Sequence, residues 1–386
     1  MSKINDLINK MCPDGVEYRK LNELLEYIQP TKYIVKNTNY SNNYNIPVLT
    51  AGQTFILGYT NEKTGIYKAS KKNPVIIFDD FTTSNHFVEF DFKVKSSAMK
   101  ILIPKTKDSF KFIYYCMENI TYIPKEHSRQ WIQTFSEFKI PLPPIKVQEK
   151  IVEILDKFSE LETELETELE ARKRQYQYWY KKIFKLNQFE TYKMTDIFNL
   201  KNGFTPSKSN DMFWKNGLIP WFRMEDIREK GGILSDAIQH VTKEAAKGNI
   251  FPKNSIIVST SATIGVHALI TTESLSNQRF TYLILKDEYK NKIDMKYIYY
   301  YCFLLDQYCL ENLNKGNFAS VDMNAFKKFE FKIPSLKEQK RIVNILDKFD
   351  KLINNISEGL PGEIKLRRKQ YEYYRNKLLN FKEVIA

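Results

Sequence analysis

Histidine and cysteine are scarce in this chain. Four histidines lie far apart in 386 residues, and Cys12, Cys116, Cys302 and Cys309 form no Cys-x-x-Cys pair. No structural metal site is expected, and the thiols should be free and reduced. Thirteen glycines leave little room for a phosphate-cradling loop, none is found, and Asn-Pro-Pro-Tyr is absent. Neither a nucleotide nor a methyl donor is therefore expected as cofactor. Ser259 and Ser261 stand near Gly265 without the Gly-x-Ser-x-Gly frame of a nucleophile; a strand ending in small polar residues is the better reading. No run approaches the roughly eighteen apolar residues of a membrane span. The start, Met-Ser-Lys-Ile-Asn-Asp, has no apolar signal core, so a cytoplasmic protein without membrane contact is expected.

Positive charge, by contrast, is in surplus: 59 Lys and Arg against 46 Asp and Glu, a formal +13, together with 24 Tyr and 26 Phe. Residues 146–185 carry nine acidic and nine basic side chains, so the surplus lies elsewhere. A basic surface with aromatics points to a polyanion, most simply nucleic acid.

The chain repeats itself. Gln148, Ile151, Val152, Ile154, Leu155, Asp156, Lys157 and Phe158 recur unchanged 191 positions on as Gln339, Ile342, Val343, Ile345, Leu346, Asp347, Lys348 and Phe349. Arg174 to Trp179 is answered by Lys369 to Tyr374 at a shift of 195, so the second copy is longer in its middle. Prolines precede each copy, and apolar residues then fall three and four apart, at Ile151, Ile154, Leu155, Phe158, Leu161, Leu165, Leu169, Tyr176 and Ile183. Each copy reads as one long helix of about 55 Å, too narrow in its apolar stripe to stand alone, and the two are expected to pair antiparallel. Residues 2–11 read as a short amphipathic helix that joins their far ends.

The segments before the helices are duplicated as well. Glu17, Lys20, Leu21, Glu23 and Leu24 match Glu190, Lys193, Met194, Asp196 and Ile197 at a shift of 173, as do Ile46-Pro47 and Ile219-Pro220. Strands are expected at 74–78 and 255–259 and at 98–103 and 280–285, with helices opening at Lys111 and Lys296. The fold class is thus α+β, with two small α/β domains separated by two long antiparallel coiled-coil helices in a pseudo-twofold repeat. The expected divisions are 1–144, 145–186, 187–335 and 336–386.

Specific motifs carry a resemblance. Ile140-Pro-Leu-Pro-Pro-Ile-x-x-Gln-Glu-x-Ile151, Gln370-Tyr-Glu-Tyr-Tyr-Arg-Asn-Lys-Leu-Leu379, Gly217-Leu-Ile-Pro-Trp-Phe-Arg-Met-Glu-Asp-Ile227, Ser259-Thr-Ser-Ala-Thr-Ile-Gly265 and Ser276-Asn-Gln-Arg-Phe280 are among them, with Ile46 to Gly52 and Ser128 to Ile132 in the first segment. Over essentially its whole length the chain resembles the DNA specificity subunit of type I restriction-modification systems. The resemblance implies a non-catalytic protein that reads double-stranded DNA with two target-recognition domains. It also implies two methyltransferase subunits and endonuclease subunits as partners, and a recognised site of two unlike halves. It further implies that the tetrads Leu161-Glu-Thr-Glu, Leu165-Glu-Thr-Glu and Leu169-Glu-Ala-Arg set the gap between those halves.

Arg, Lys, Asn, Gln, Ser and Thr on loops are the residue types that read bases and hold phosphates. In the first domain these are Lys68, Lys71, Lys72, Thr82, Ser84, Asn85, Ser128, Arg129 and Gln130. In the second they are Ser207, Lys208, Arg223, Arg228, Thr260, Thr263, Asn277, Gln278, Arg279, Lys315 and Asn317. Trp131 and Trp214 are candidates either for stacking or for core. Two other functions fit parts of the pattern: a stand-alone DNA-bridging adaptor, and a Mg-dependent nuclease built on Asp79 or Asp80 with Asp91 and Lys93. The last has a simple counter-reading, a turn followed by an alternating strand from Phe87 to Val94.

Overall fold

Proline sets the first boundary. Pro141 lies in a strand, Lys139–Leu142, and Pro143 and Pro144 follow it before the chain turns into a helix of 40 residues, Ile145–Phe184. Its opening is tied down by backbone bonds from Val147 and Gln148 to the Pro144 carbonyl. The computed structural model describes residues 2–50, 54–185, 189–314, 319–355 and 357–384. The chain forms two units, one of Met1–Glu166 with Glu363–Ala386, the other of Thr167–Gly362.

In the first unit a four-stranded antiparallel sheet runs in the order Leu25–Ile28, Met99–Pro104, Val75–Asp79, Asn85–Val88. The strand Val75–Asp79 is buried at every residue, which explains its continuous apolar run. A three-stranded sheet joins Ile56–Thr60, Ile46–Leu49 and Lys93–Val94, the last pair parallel. Entry and exit of this head pair with each other, Glu17–Lys20 against Lys139–Leu142. The head helix Phe110–Glu118 starts at Ser109, whose hydroxyl accepts from the Phe112 N–H. Helix Ser2–Met11 buries Ile4 in the same cluster as Leu155 and Leu378, so the three helix ends share one core.

The second unit repeats the plan with additions. Its main sheet has five strands, Phe198–Asn202, Phe280–Leu285, Ser255–Ser259, His267–Ile270 and Ile233–Leu234. A three-stranded sheet holds His240–Val241, Ile219–Phe222 and Leu275–Ser276, and Glu190–Lys193 pairs with Glu330–Ile333 as the entry and exit ladder. The head helix Met295–Glu311 has 17 residues against 9 in the first head.

The repeated octet docks each head on its helix. Gln148 Oε1 accepts from the Ser109 N–H at 2.9 Å while its amide donates to the Pro143 carbonyl at 2.9 Å. Gln339 likewise accepts from the Asp294 N–H at 2.8 Å and donates to the Pro334 carbonyl at 2.8 Å. Asp156 receives Lys111 at 2.9 Å and the Tyr115 hydroxyl at 2.5 Å; Asp347 receives Lys296 at 2.7 Å and the Tyr300 hydroxyl at 2.6 Å. Burial first, then these carboxylates, raises both tyrosine pKa values far above the ordinary phenol range.

Helix pairing is antiparallel within the first unit. Phe158 stacks on Tyr374, and further along Glu162 and Glu166 both accept from Arg368, so one helix ascends as the other descends. In the second unit Tyr176 packs on Phe349. One expectation needs correction. The second long helix is not continuous: it is Leu336–Asn354 followed by Leu360–Leu378. Gly359 lies so close to the carbonyls of Lys351, Leu352 and Asn355 that a Cβ would stand 2.5 to 2.8 Å from them. Pro361 then fits the first turn of the new helix, where no N–H partner is needed.

Candidate nucleic-acid interface

In each head the strand at the centre of the main sheet ends in a loop that is stitched to two others. In the first head the Asp80 N–H donates to the Ala98 carbonyl at 3.0 Å and the Gln130 N–H donates to the Asp80 carbonyl at 2.8 Å. In the second, the Thr260 N–H donates to the Arg279 carbonyl at 2.9 Å and the Val321 N–H donates to the Thr260 carbonyl at 2.9 Å. The same backbone junction thus presents two different sets of side chains.

In the first head Asp79 caps its own loop, accepting from the Phe81 and Thr82 N–H groups at 2.8 and 3.1 Å, and Thr83 takes a φ of 63°. That turn exposes Thr82 and Ser84, whose hydroxyls lie 3.1 Å apart. Asp80 is fully buried and accepts from the Trp131 N–H at 2.9 Å. Its other oxygen faces Lys100 at 3.4 Å, an ion pair without hydrogen-bond alignment, and Arg129 at 3.9 Å. Arg129 remains half exposed beside Ser128, and His127 stacks on Phe81 at 4.6 Å. Loops 80–84 and 126–130 therefore form one surface; Phe81 and His127 belong to it, and His127 was signalled only by its place beside Ser128 and Arg129.

Gln130 is not on that surface. It is 3% exposed, accepts from Tyr122 and donates to the Ser128 carbonyl, so its amide braces the loop. Trp131 is core, against Phe78 and Phe135. Asn85 opens the next strand, half buried, with its neighbour His86 stacked on Phe55 at 3.9 Å and its pKa lowered by burial. Lys71 and Lys72 occupy the turn Ser70–Asn73, exposed but at the opposite end of strand Val75–Asp79, roughly 15 Å from Thr82 at strand rise. Lys68 is exposed and pairs with Asp91 at 2.5 Å.

The second head gathers more of its candidates. Gly203 donates to the Phe280 carbonyl, and a Cβ there would lie 2.3 Å from the Asn277 carbonyl oxygen, so only glycine admits this approach. Thr205 consequently donates to Gln278 Oε1 at 2.5 Å, a partner the sequence did not single out. Asn277 receives the Arg279 N–H on its side chain and donates its own N–H to Phe222, which brings Arg223 alongside. Arg223 lies 5.7 Å from the Trp221 ring and 3.8 Å from Glu225. Gln278 and Arg279 are exposed, Thr260 and Thr263 half buried. Ser207 and Lys208 are exposed on the adjoining loop, where Trp214 donates to the Ser207 carbonyl and packs edge-on against Trp221. Arg228 is exposed on helix Met224–Lys230. Lys315 and Asn317 lie outside the described residues.

The nuclease outline does not assemble. Lys93 is buried on Glu62 at 2.8 Å and the Thr64 carbonyl, Asp80 is held by Lys100, and Asp91 pairs with Lys68, so the three groups answer to three different partners. Among the described residues no cluster of three or more His, Cys, Asp or Glu is placed to hold a metal, and no helix is long and apolar enough to cross a membrane. On the central helix Leu161 is 45% exposed, while Leu165 and Leu169 are half buried.

Known proteins agree with this plan. The family described as type I restriction modification DNA specificity domain matches residues 13–172 and again 187–366. The EcoR124I/EcoR124II specificity subunit of Escherichia coli is 43% identical, with 99% of this chain and 98% of that protein aligned. The EcoprrI specificity subunit, also of Escherichia coli, is 50% identical over 49% of each chain. In structure, the S subunit of a type-I system from M. genitalium is similar with a TM-score of 0.56, covering 95% of this chain and 97% of that one at 13% identity. A chain from a study of complex assembly in the type I R-M system reaches 0.59 over 96% and 98%, again at 13% identity. Those two likenesses are of fold. With both halves matched and nearly the full length aligned, this chain belongs to the type I restriction-modification DNA specificity family.

Proposed function

We propose that the chain is the DNA-reading subunit of a type I restriction-modification complex, non-catalytic in itself, in which each head reads one half of a bipartite site. The observation that carries this is the shared backbone junction at Asp80 and Thr260, which presents Thr82, Ser84 and Arg129 in one head but Thr263, Gln278 and Arg279 in the other. One scaffold with unlike side chains implies two unlike half-sites. The partners are double-stranded DNA, methyltransferase subunits, two by the repeat, and endonuclease subunits; the setting is the cytoplasm. The adaptor reading differs in one respect, since a bare DNA bridge needs no methyltransferase and would change no methylation pattern.

Arg129→Ala should relax one base position of the first half-site, and Arg279→Ala one of the second. A lost bidentate base contact costs about 1–3 kcal/mol, whereas a lost phosphate contact weakens all sequences alike. Mapping methylated bases in host DNA with the native gene and with each variant is the test. If neither substitution alters the methylated sequence, these two arginines are not readers; if loss of the gene leaves methylation unchanged, the assignment to a restriction-modification complex fails.

A further inference from the structure

Behind the second head's reading loop lies a buried polar pair for which the DNA-facing residues have no direct need. Loop 260–266 joins strands Ser255–Ser259 and His267–Ile270, and its stem closes with the Ser259 N–H on the Val266 carbonyl at 2.9 Å. The next residue, His267, is 4% exposed and turns its ring onto head helix Met295–Glu311. Nε2 lies 2.9 Å from the Tyr299 carbonyl, which can only accept, so Nε2 carries hydrogen. Nδ1 lies 2.6 Å from Asp306 Oδ2, a contact that requires one further proton between the two groups. The ring is thereby fixed at both nitrogens to one helix.

The rest of the loop leans on the same helix and its exit. Gly265, at a φ of 82°, brings the loop so close that a Cβ would stand 2.9 Å from Leu310, one turn beyond Asp306. The Ala262 N–H donates to the Ala319 carbonyl at 3.0 Å. Stability does not account for the pair. Asp306 Oδ1 is buried with no hydrogen-bond partner, and such an orphan is unfavourable where a well-packed apolar pair often serves as well or better. What the pair supplies is a single permitted position. The first head lacks it: Asn85 holds the ladder position of His267, opposite Phe78 as His267 is opposite Val258, and helix Phe110–Glu118 ends before the place that corresponds to Asp306.

We propose that His267 and Asp306 are positioning residues of the second head, fixing loop 260–266 on its helix so that Thr260 and Thr263 meet only one arrangement of bases. This rests on the reading of that loop as DNA-facing. The test is selection by the full chain, with the subunits that co-purify with it, from duplexes randomised at both half-sites. Asp306→Ala and His267→Phe should each lower discrimination at the second half-site by about tenfold, the ratio that 1.4 kcal/mol represents, and leave the first half-site as it is. Asp306→Asn should retain native selectivity, because its amide donates to a neutral Nδ1 while Nε2 still holds the Tyr299 carbonyl. Unchanged second-site preferences in both disruptive variants would overturn the proposal. So would equal loss at both half-sites, or an Asp306→Asn chain that folds yet behaves as Asp306→Ala. A native chain that selects no sequence at all would instead overturn the DNA reading beneath it.

Discussion

Gly203 shows how much a single residue can decide. Its missing side chain lets the loop before Thr205 touch the segment Asn277 to Arg279, so Gly203→Ala should push the two apart. A loss of about 1–3 kcal/mol in urea unfolding is expected for such overpacking, together with weaker discrimination at the second half-site. Asp80 is the other decisive residue. Asp80→Ala leaves Lys100 buried without a counter-charge near it, a change of about 3–5 kcal/mol for a broken buried pair, and should be read as a lowered denaturation midpoint. Neither role was legible beforehand. Asp80 looked like a metal ligand and Gln130 like a base reader, because residue type reveals what a side chain can bond to and not whether neighbours have already used it. Arg129, Gln278 and Arg279 do lie exposed, because they are long, polar and confined to loops, where exposure is the usual outcome.

At the level of elements, apolar patterning was a good guide, as three- and four-residue spacing in helices and as continuous runs in strands buried on both faces. The central helix, the strands at Val75 and Ser255, and both head helices lie where apolar spacing put them. Sheet order was not legible, since strand pairing is settled by contacts between distant residues. The interruption at Gly359 and Pro361 was written in the residues but outweighed by the strength of the repeat around it. The repeat also makes a paired prediction. Asp156→Asn and Asp347→Asn should loosen the first and the second head respectively, each by about 1 kcal/mol for partly exposed, charge-assisted bonds. Hydrogen exchange should rise in helix Phe110–Glu118 for one and in Met295–Glu311 for the other. Loosening of both heads by either change would show that the two docking points are not independent.

For the whole molecule, tyrosine dominates the response to alkali. Burial pushes the pKa values of Tyr114, Tyr115, Tyr180, Tyr297 and Tyr300 well above the phenol range, and that of Tyr299 up to about 12. The folded chain keeps these protons while the unfolded chain releases them, so the tyrosine contribution to stability should be intact below about pH 10 and fall as pH rises beyond it. The buried thiols of Cys116, Cys302 and Cys309 add a loss that begins about one pH unit lower. Phenolate absorbance from these tyrosines should then appear together with unfolding; gradual appearance in a folded chain would mean that they are accessible. The tetrads give a second expectation. One additional Leu-Glu-Thr-Glu lengthens the central helix by about 6 Å, and a base pair rises about 3.4 Å, so the preferred gap between half-sites should grow by one or two base pairs with the halves unaltered.

The entry and exit ladders have a consequence for how such a chain can change over generations. Entry strands of the two heads are 173 positions apart, Glu17 and Glu190, but exit strands are 191 apart, Lys139 and Glu330, so the second head is 191 − 173 = 18 residues longer. Both nevertheless close on the same four-residue antiparallel ladder. Each head is a closed excursion from a fixed doorway, and additions or losses within it need not be felt at the helices. A head can therefore change in content and in length while the four-residue ladder that joins it to the helices still closes.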